Sequence, residues 1–180
     1  GLVAFLWPLA SLYGLEYMRH EGGENHFFGF YLISYAVTLS IAFSEDLMSL
    51  YVFYELLSLA TLPLVMHGMK AKNVHAGRTY AYYCLGGAAL AFLSLVTVIH
   101  YGGSSNFTAG GIAGLAAAPQ GVVLTMYVLG FFGFGVKAAV FPLHHWLPEA
   151  GVAPTPVTAL LHAVAVVKAG VFAATRLTYS

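Results

Sequence analysis

Three charged residues of this chain stand where apolar packing has no use for a charge. Glu55 lies in Tyr-Val-Phe-Tyr-Glu-Leu-Leu, Lys137 in Gly-Phe-Gly-Val-Lys-Ala-Ala, and Lys168 in Ala-Val-Val-Lys-Ala-Gly. A charge at the centre of a membrane helix costs about 2.5–3.5 kcal/mol on insertion scales. Permanent pairing would explain tolerance of such groups, but two lysines facing one carboxylate form an unbalanced set. An unbalanced set suits a proton that moves, because desolvation favours the neutral form of each group and a neighbour's charge then decides which form persists. His162, six residues before Lys168, adds an imidazole, a side chain suited to passing protons. Six residues of ideal helix are about 9 Å of rise and about 240° of rotation, so the two would occupy different faces and different depths.

Weaker candidates surround this group. His144 and His145 lie on an amphipathic stretch and suit wet cavity lining as well as structural hydrogen bonding; with Arg78 they are accessory candidates. His67 and His100 fall at helix ends and read as interfacial. Cys84, the single cysteine, excludes an internal disulfide or a cysteine-pair zinc site and reads as a small packing residue. Gly130, Gly133 and Gly135 sit inside an apolar segment rather than after a strand, which argues against a nucleotide loop and for close helix approach. No metal site and no cofactor is expected.

The elements that must position these residues are membrane helices. Apolar residues make up 59% of the chain and charged residues 8%, against roughly a quarter in soluble proteins. The zero net charge gives no reason to expect nucleic acid. A spanning helix needs about 20 apolar residues. Residues 1–15 read as the end of one such helix, kinked at Pro8, and 16–26 as a polar connector. Full spans follow at 27–43 and 47–66, with Ser44-Glu45-Asp46 as the cap between them. A basic connector, 68–78, precedes a span at 79–100; a small-residue loop, 101–120, precedes a segment from Gly121. That segment meets Pro142, which breaks it, and a broken span needs protein or a watery cavity to satisfy its freed backbone. A last helix runs from Pro154 to about Thr178, with Pro156 in its first turn. The fold class is therefore all-α: a polytopic membrane protein of five to six transmembrane helices, one of them broken. Arg19, Lys70, Lys72 and Arg78 fall on one side and Arg176 on the other, so the Lys70/Lys72/Arg78 loop is expected to be cytoplasmic and the protein to be a multi-pass protein of the inner (cytoplasmic) membrane. Asn106-Phe107-Thr108 fits a glycosylation pattern that chance often produces. The chain opens on Gly1 inside an apolar run without the basic region of a signal peptide, and reads as a piece of a longer subunit.

From Phe134 onward, Gly-Val-Lys-Ala-Ala-Val-Phe-Pro-Leu-His-His-Trp-Leu-Pro-Glu-Ala, followed by Ala-Pro-Thr-Pro-Val-Thr-Ala-Leu-Leu-His-Ala, resembles the antiporter-like membrane subunits of respiratory complex I. The same family includes the large Mrp cation/proton antiporter subunits and the membrane arms of energy-converting hydrogenases. The resemblance covers about 45–178. It implies one transmembrane proton-conducting domain over 1–180, one half of an inverted-repeat transporter fold. It also implies proton carriers at Glu55, Lys137, His162 and Lys168. Tyr54 stands where the family often has Trp, and the presence of both His162 and Lys168 looks closer to the Mrp or hydrogenase branch.

The resemblance further implies proton translocation, or alternatively Na+/H+ exchange, by a non-redox subunit working among other membrane subunits in a lipid bilayer. Two other readings remain open on the residues alone. One is a structural subunit with static charge pairs. The other is a haem- or quinone-binding electron-transfer subunit, which needs two histidines at matched depth.

Overall fold

The computed structural model describes residues 2–108 and 111–179. These residues form α-helices and no strand. In chain order the helices are α1 (Leu2–Glu21), α2 (Glu24–Ala42), α3 (Leu47–Val65), α4 (Ala71–Gly102), α5 (Gln120–Gly135), α6 (Trp146–Ala150), α7 (Thr155–Ala159) and α8 (Val166–Tyr179). A short 3₁₀ turn, Ala113–Ala117, precedes α5, and a π turn, Leu160–Val164, joins α7 to α8. Leu47–Val65, Ala71–Gly102 and Thr155–Tyr179 are long and apolar enough to cross a membrane.

Several helix ends lie outside the apolar windows. Residues 16–21 belong to α1 rather than to a connector, with Glu16 and Arg19 paired at 3.2 Å one turn apart. The connector shrinks to Gly22 and Gly23, whose φ of 80° and 73° give the tight reversal that side chains resist. α4 likewise starts at Ala71, eight residues before its apolar run, and carries Lys72 and Arg78 on exposed turns. Hydropathy marks where lipid would lie; the helix continues into water while its backbone bonds and caps hold. Pro8 is accommodated within α1.

The α2–α3 turn behaves as its sequence predicts. Asp46 accepts hydrogen bonds from the Ser49 backbone N–H at 2.9 Å and the Ser49 hydroxyl at 2.6 Å, capping α3. The same turn is tied to the loop after α4: Leu47 N–H donates to Ser105 O at 2.8 Å, and Asp46 bridges Asn106. At the opposite end, His67 Nε2 lies 3.1 Å from Gly22 O, which joins the α1–α2 and α3–α4 connectors. The grouping of connectors into two ends thus matches the sequence reading.

The core follows the seams between α2, α3, α4, α5 and α8, while Leu32, Leu56, Leu59, Leu85, Phe92 and Leu93 point outward. α4 and α5 cross closely at glycines. A Cβ on Gly133 would stand 2.8 Å from Gly87 O, and one on Gly130 would stand 2.5 Å from Ser94 Oγ, so the close approach read from these glycines is realised.

Candidate functional site

The break that carries Lys137 begins earlier than proline alone dictates. α5 ends at Gly135, and the chain from 136 to 145 runs in turns before α6. Ala139 adopts φ 54°, a left-handed conformation unusual for a residue with a Cβ. Pro142 lies well inside this non-helical stretch. Lys137 is therefore in the first turn after the helix, not within it.

The freed backbone groups are satisfied by side chains from other elements. Tyr54 of α3 donates its hydroxyl to Phe134 O at 2.5 Å, and Trp146 of α6 donates Nε1–H to Val136 O at 2.8 Å. Val140 N–H returns to Gly135 O at 3.1 Å. Buried backbone needs such partners, and here two aromatic residues supply them. By sequence alone Tyr54 is only a departure from the Trp that the family often has there. The signal available was a phenol in an apolar run next to Glu55, since buried tyrosine hydroxyls usually find an acceptor.

Lys137 is 0% exposed. Its ammonium donates to Tyr54 O, lies 3.3 Å from the Tyr54 ring centroid and stands 3.7 Å from Glu55 Oε1. The charge is thus held by a carbonyl, an aromatic face and a carboxylate at longer range. Glu55 Oε1 makes no hydrogen bond among the described residues, and the Glu55 side chain is 22% exposed. The pair is in reach but not closed. α8 buttresses it: a Cβ on Gly170 would overlap Ala138 N and stand 2.7 Å from Lys137 C.

The other predicted residues do not join this pair. Lys168 is exposed on α8 and borders a cavity of about 200 Å³ with Thr38, Ile41 and Phe172. His162 is exposed in the π turn, so the rotation expected of an unbroken helix from Pro154 does not apply. A π turn adds a residue to the turn and often marks functional positions. His145 Nε2 lies 2.9 Å from Glu149 Oε1, and His144 stacks on Phe141 with centroids 5.7 Å apart; both histidines are exposed, as is Arg78. Among the described residues no three His, Cys, Asp or Glu side chains gather closely enough to hold a metal.

A buried lysine on a broken helix, within reach of a carboxylate on a neighbouring helix, can hold or release a proton as that distance changes. Comparison with known proteins gives the arrangement its family. Residues 44–180 match the family described as NADH:quinone oxidoreductase/Mrp antiporter, TM. The chain belongs to this family. Among curated members, it is 36% identical over 179 residues to a probable K(+)/H(+) antiporter component of Rhizobium meliloti, covering 98% of this chain and 18% of that protein. It is 32% identical to the Escherichia coli hydrogenase-4 component B, covering 95% of this chain and 25% of that one. Among solved structures, the Mrp complex from Dietzia sp. DQ12-45-1b superposes with a TM-score of 0.78 at 25% identity, over 85% of this chain and 17% of its counterpart. The chain thus spans about a quarter or less of these two curated family members.

Proposed function

We propose that this chain conducts protons across the inner membrane as part of an antiporter-like subunit, in a complex of the complex I, hydrogenase or Mrp type. The carrying observation is Lys137: fully buried, placed at a helix break, and facing a Glu55 carboxylate it does not fully engage. Closing the pair stabilises the proton on Lys137; opening it withdraws the neighbouring negative charge and favours release. His162 and Lys168 then serve as later stations, reached through the π turn and the outward face of α8. Na+/H+ exchange is the alternative use of the same path, suggested by the similarity to a Na(+)/H(+) antiporter subunit. The redox chemistry or cation gradient that drives transport belongs to other membrane subunits.

In this reading α2, α3, α4, the broken α5–α6 and the α7–α8 unit are the five spans of one inverted-repeat half, and α1 precedes them. The Lys70/Lys72/Arg78 end faces the cytoplasm, as the basic bias suggests. The test is dye-monitored proton uptake into everted membrane vesicles carrying the full-length subunit in its complex. Lys137→Met and Glu55→Gln should each abolish uptake while the complex still assembles. Normal uptake by either variant ends the proposal. If Glu55 and Lys137 formed only a static bridge, the charge-swapped double variant would keep full transport; here it should fail, because the broken backbone and the Tyr54 carbonyl are built around the lysine.

A further inference from the structure

A second set of buried polar groups lies away from the Glu55–Lys137 pair, on the seam between α3 and α4. α3 contributes Ser58 and Thr61, one and two turns beyond Tyr54; α4, running antiparallel, contributes Asn73, Tyr80 and Cys84. All five are buried. The Tyr80 hydroxyl lies 2.8 Å from Thr61 Oγ1, and Thr61 directs its own proton to Leu57 O at 2.7 Å, which makes Tyr80 the donor. The Cys84 thiol stands beside both Tyr80 and Ser58.

Among the described residues, two polar atoms on this seam, Ser58 Oγ and Asn73 Oδ1, make no hydrogen bond, and neither does Glu55 Oε1 at the pair itself; eight such buried side-chain atoms occur in all. Ser58 is 9% exposed and Asn73 4%. Unpartnered buried polar atoms are the groups that ordered water would join. Asn73 also borders a polar cavity of about 170 Å³ at the connector end, shared with Glu21, His67, Lys70 and Lys72. Between Asn73 and Tyr80 the seam is closed by Met66, whose side chain lies where a Cβ on Gly77 would be. A thioether chain with three rotatable bonds is easily displaced.

We infer that this seam is the uptake route to Lys137. Protons collect in the basin at the Lys70–Lys72 end, pass Met66 when it swings aside, and travel by Tyr80, Thr61 and Ser58 to the Glu55–Lys137 pair. Each hydroxyl accepts a proton on a lone pair and releases its own, so only the final acceptor, Glu55 or Lys137, changes charge. Thr61 must turn its hydrogen away from Leu57 O for each passage. The inference rests on the proton-conducting reading and names the path to that same lysine.

The test uses the full-length subunit in its complex, in everted vesicles, with assembly followed by native gel. Tyr80→Phe keeps the ring that packs on Trp146 at 5.1 Å, and Thr61→Val keeps the volume; each removes one hydroxyl. Both should lower the initial rate of proton uptake on the order of tenfold or more, within the range that positioned proton-transfer groups contribute. Thr61→Ser, which restores the hydroxyl, should stay within about twofold of wild type, a rescue that a packing role would not predict. If Thr61→Val fails to assemble, Tyr80→Phe decides. Wild-type rates in Tyr80→Phe and Thr61→Val beside a dead Lys137→Met overturn the route and leave proton conduction standing. A fully active Lys137→Met overturns both.

Discussion

At the scale of single residues, Tyr54 does more than its neighbours. Its ring takes the Lys137 ammonium on one face, its carbonyl accepts from that ammonium, and its hydroxyl closes the exposed carbonyl of Phe134. Tyr54→Phe keeps the first two contacts and strips the third. A buried carbonyl left without a partner costs about 1–3 kcal/mol. Thermal unfolding in detergent should therefore fall for Tyr54→Phe, and proton uptake should fall with it as Lys137 loses its fixed position. Full stability in that variant would show that Phe134 O finds another donor.

At the scale of elements, two joints hold the site. The first is α8 against the break. Because any Cβ at position 170 overlaps the backbone after Lys137, Gly170→Ala should destabilise by about 1–3 kcal/mol, as overpacking does. It should also slow transport more than Gly130→Ala, whose Cβ would meet the Ser94 and Leu177 side chains instead of the break; equal effects would refute the link between α8 and Lys137. The second joint is the α3 cap. Burial raises the Asp46 carboxyl, but hydrogen bonds from the Ser49 hydroxyl and backbone, Ser105 and the Met48 backbone outweigh it and hold the group below its ordinary range. The folded value lies below the unfolded one. The stabilisation is thus complete above the ordinary carboxylate value of about 3.9 and is lost as pH falls through the lower, folded value. Asp46→Ala should cost about 0.5–2 kcal/mol near neutral pH. The gap in melting temperature from wild type should narrow only in strong acid; a gap constant down to that range would mean the charge is irrelevant.

At the scale of the whole molecule, the connectors sort into two ends that contacts define independently of charge. His67 meets Gly22 at one end; Leu47 meets Ser105 at the other, where Arg176 also lies over the Phe107 ring. Single cysteines at positions 72 and 45 of the full-length subunit, in a background cleared of all native cysteines including Cys84, should react with a membrane-impermeant thiol reagent from opposite faces. Position 72 should react from the cytoplasmic face; labelling of 72 from the outer face would invert the proposed orientation. The outward Lys168 and His162 belong to this scale too, since both face away from the Glu55–Lys137 pair.

The class of the molecule is written in its sequence. Apolar runs of about 20 residues with few charges are spanning helices, which satisfy their own backbone in lipid, and the Phe134–Ala163 signature carried the family. The sequence also singled out Glu55 and Lys137, because a charge in an apolar window stands out against composition alone. Helix limits were not legible, since helices extend beyond the apolar window for as long as hydrogen bonds and caps allow, as in α1 and α4. The start of the break, the π turn at Leu160–Val164 and the three contacts of Tyr54 emerge only in the folded chain. The break depends on side chains that other elements bring to it, Tyr54 of α3 to Phe134 and Trp146 of α6 to Val136. Local spacing does not encode which helix will supply the donor for a freed carbonyl.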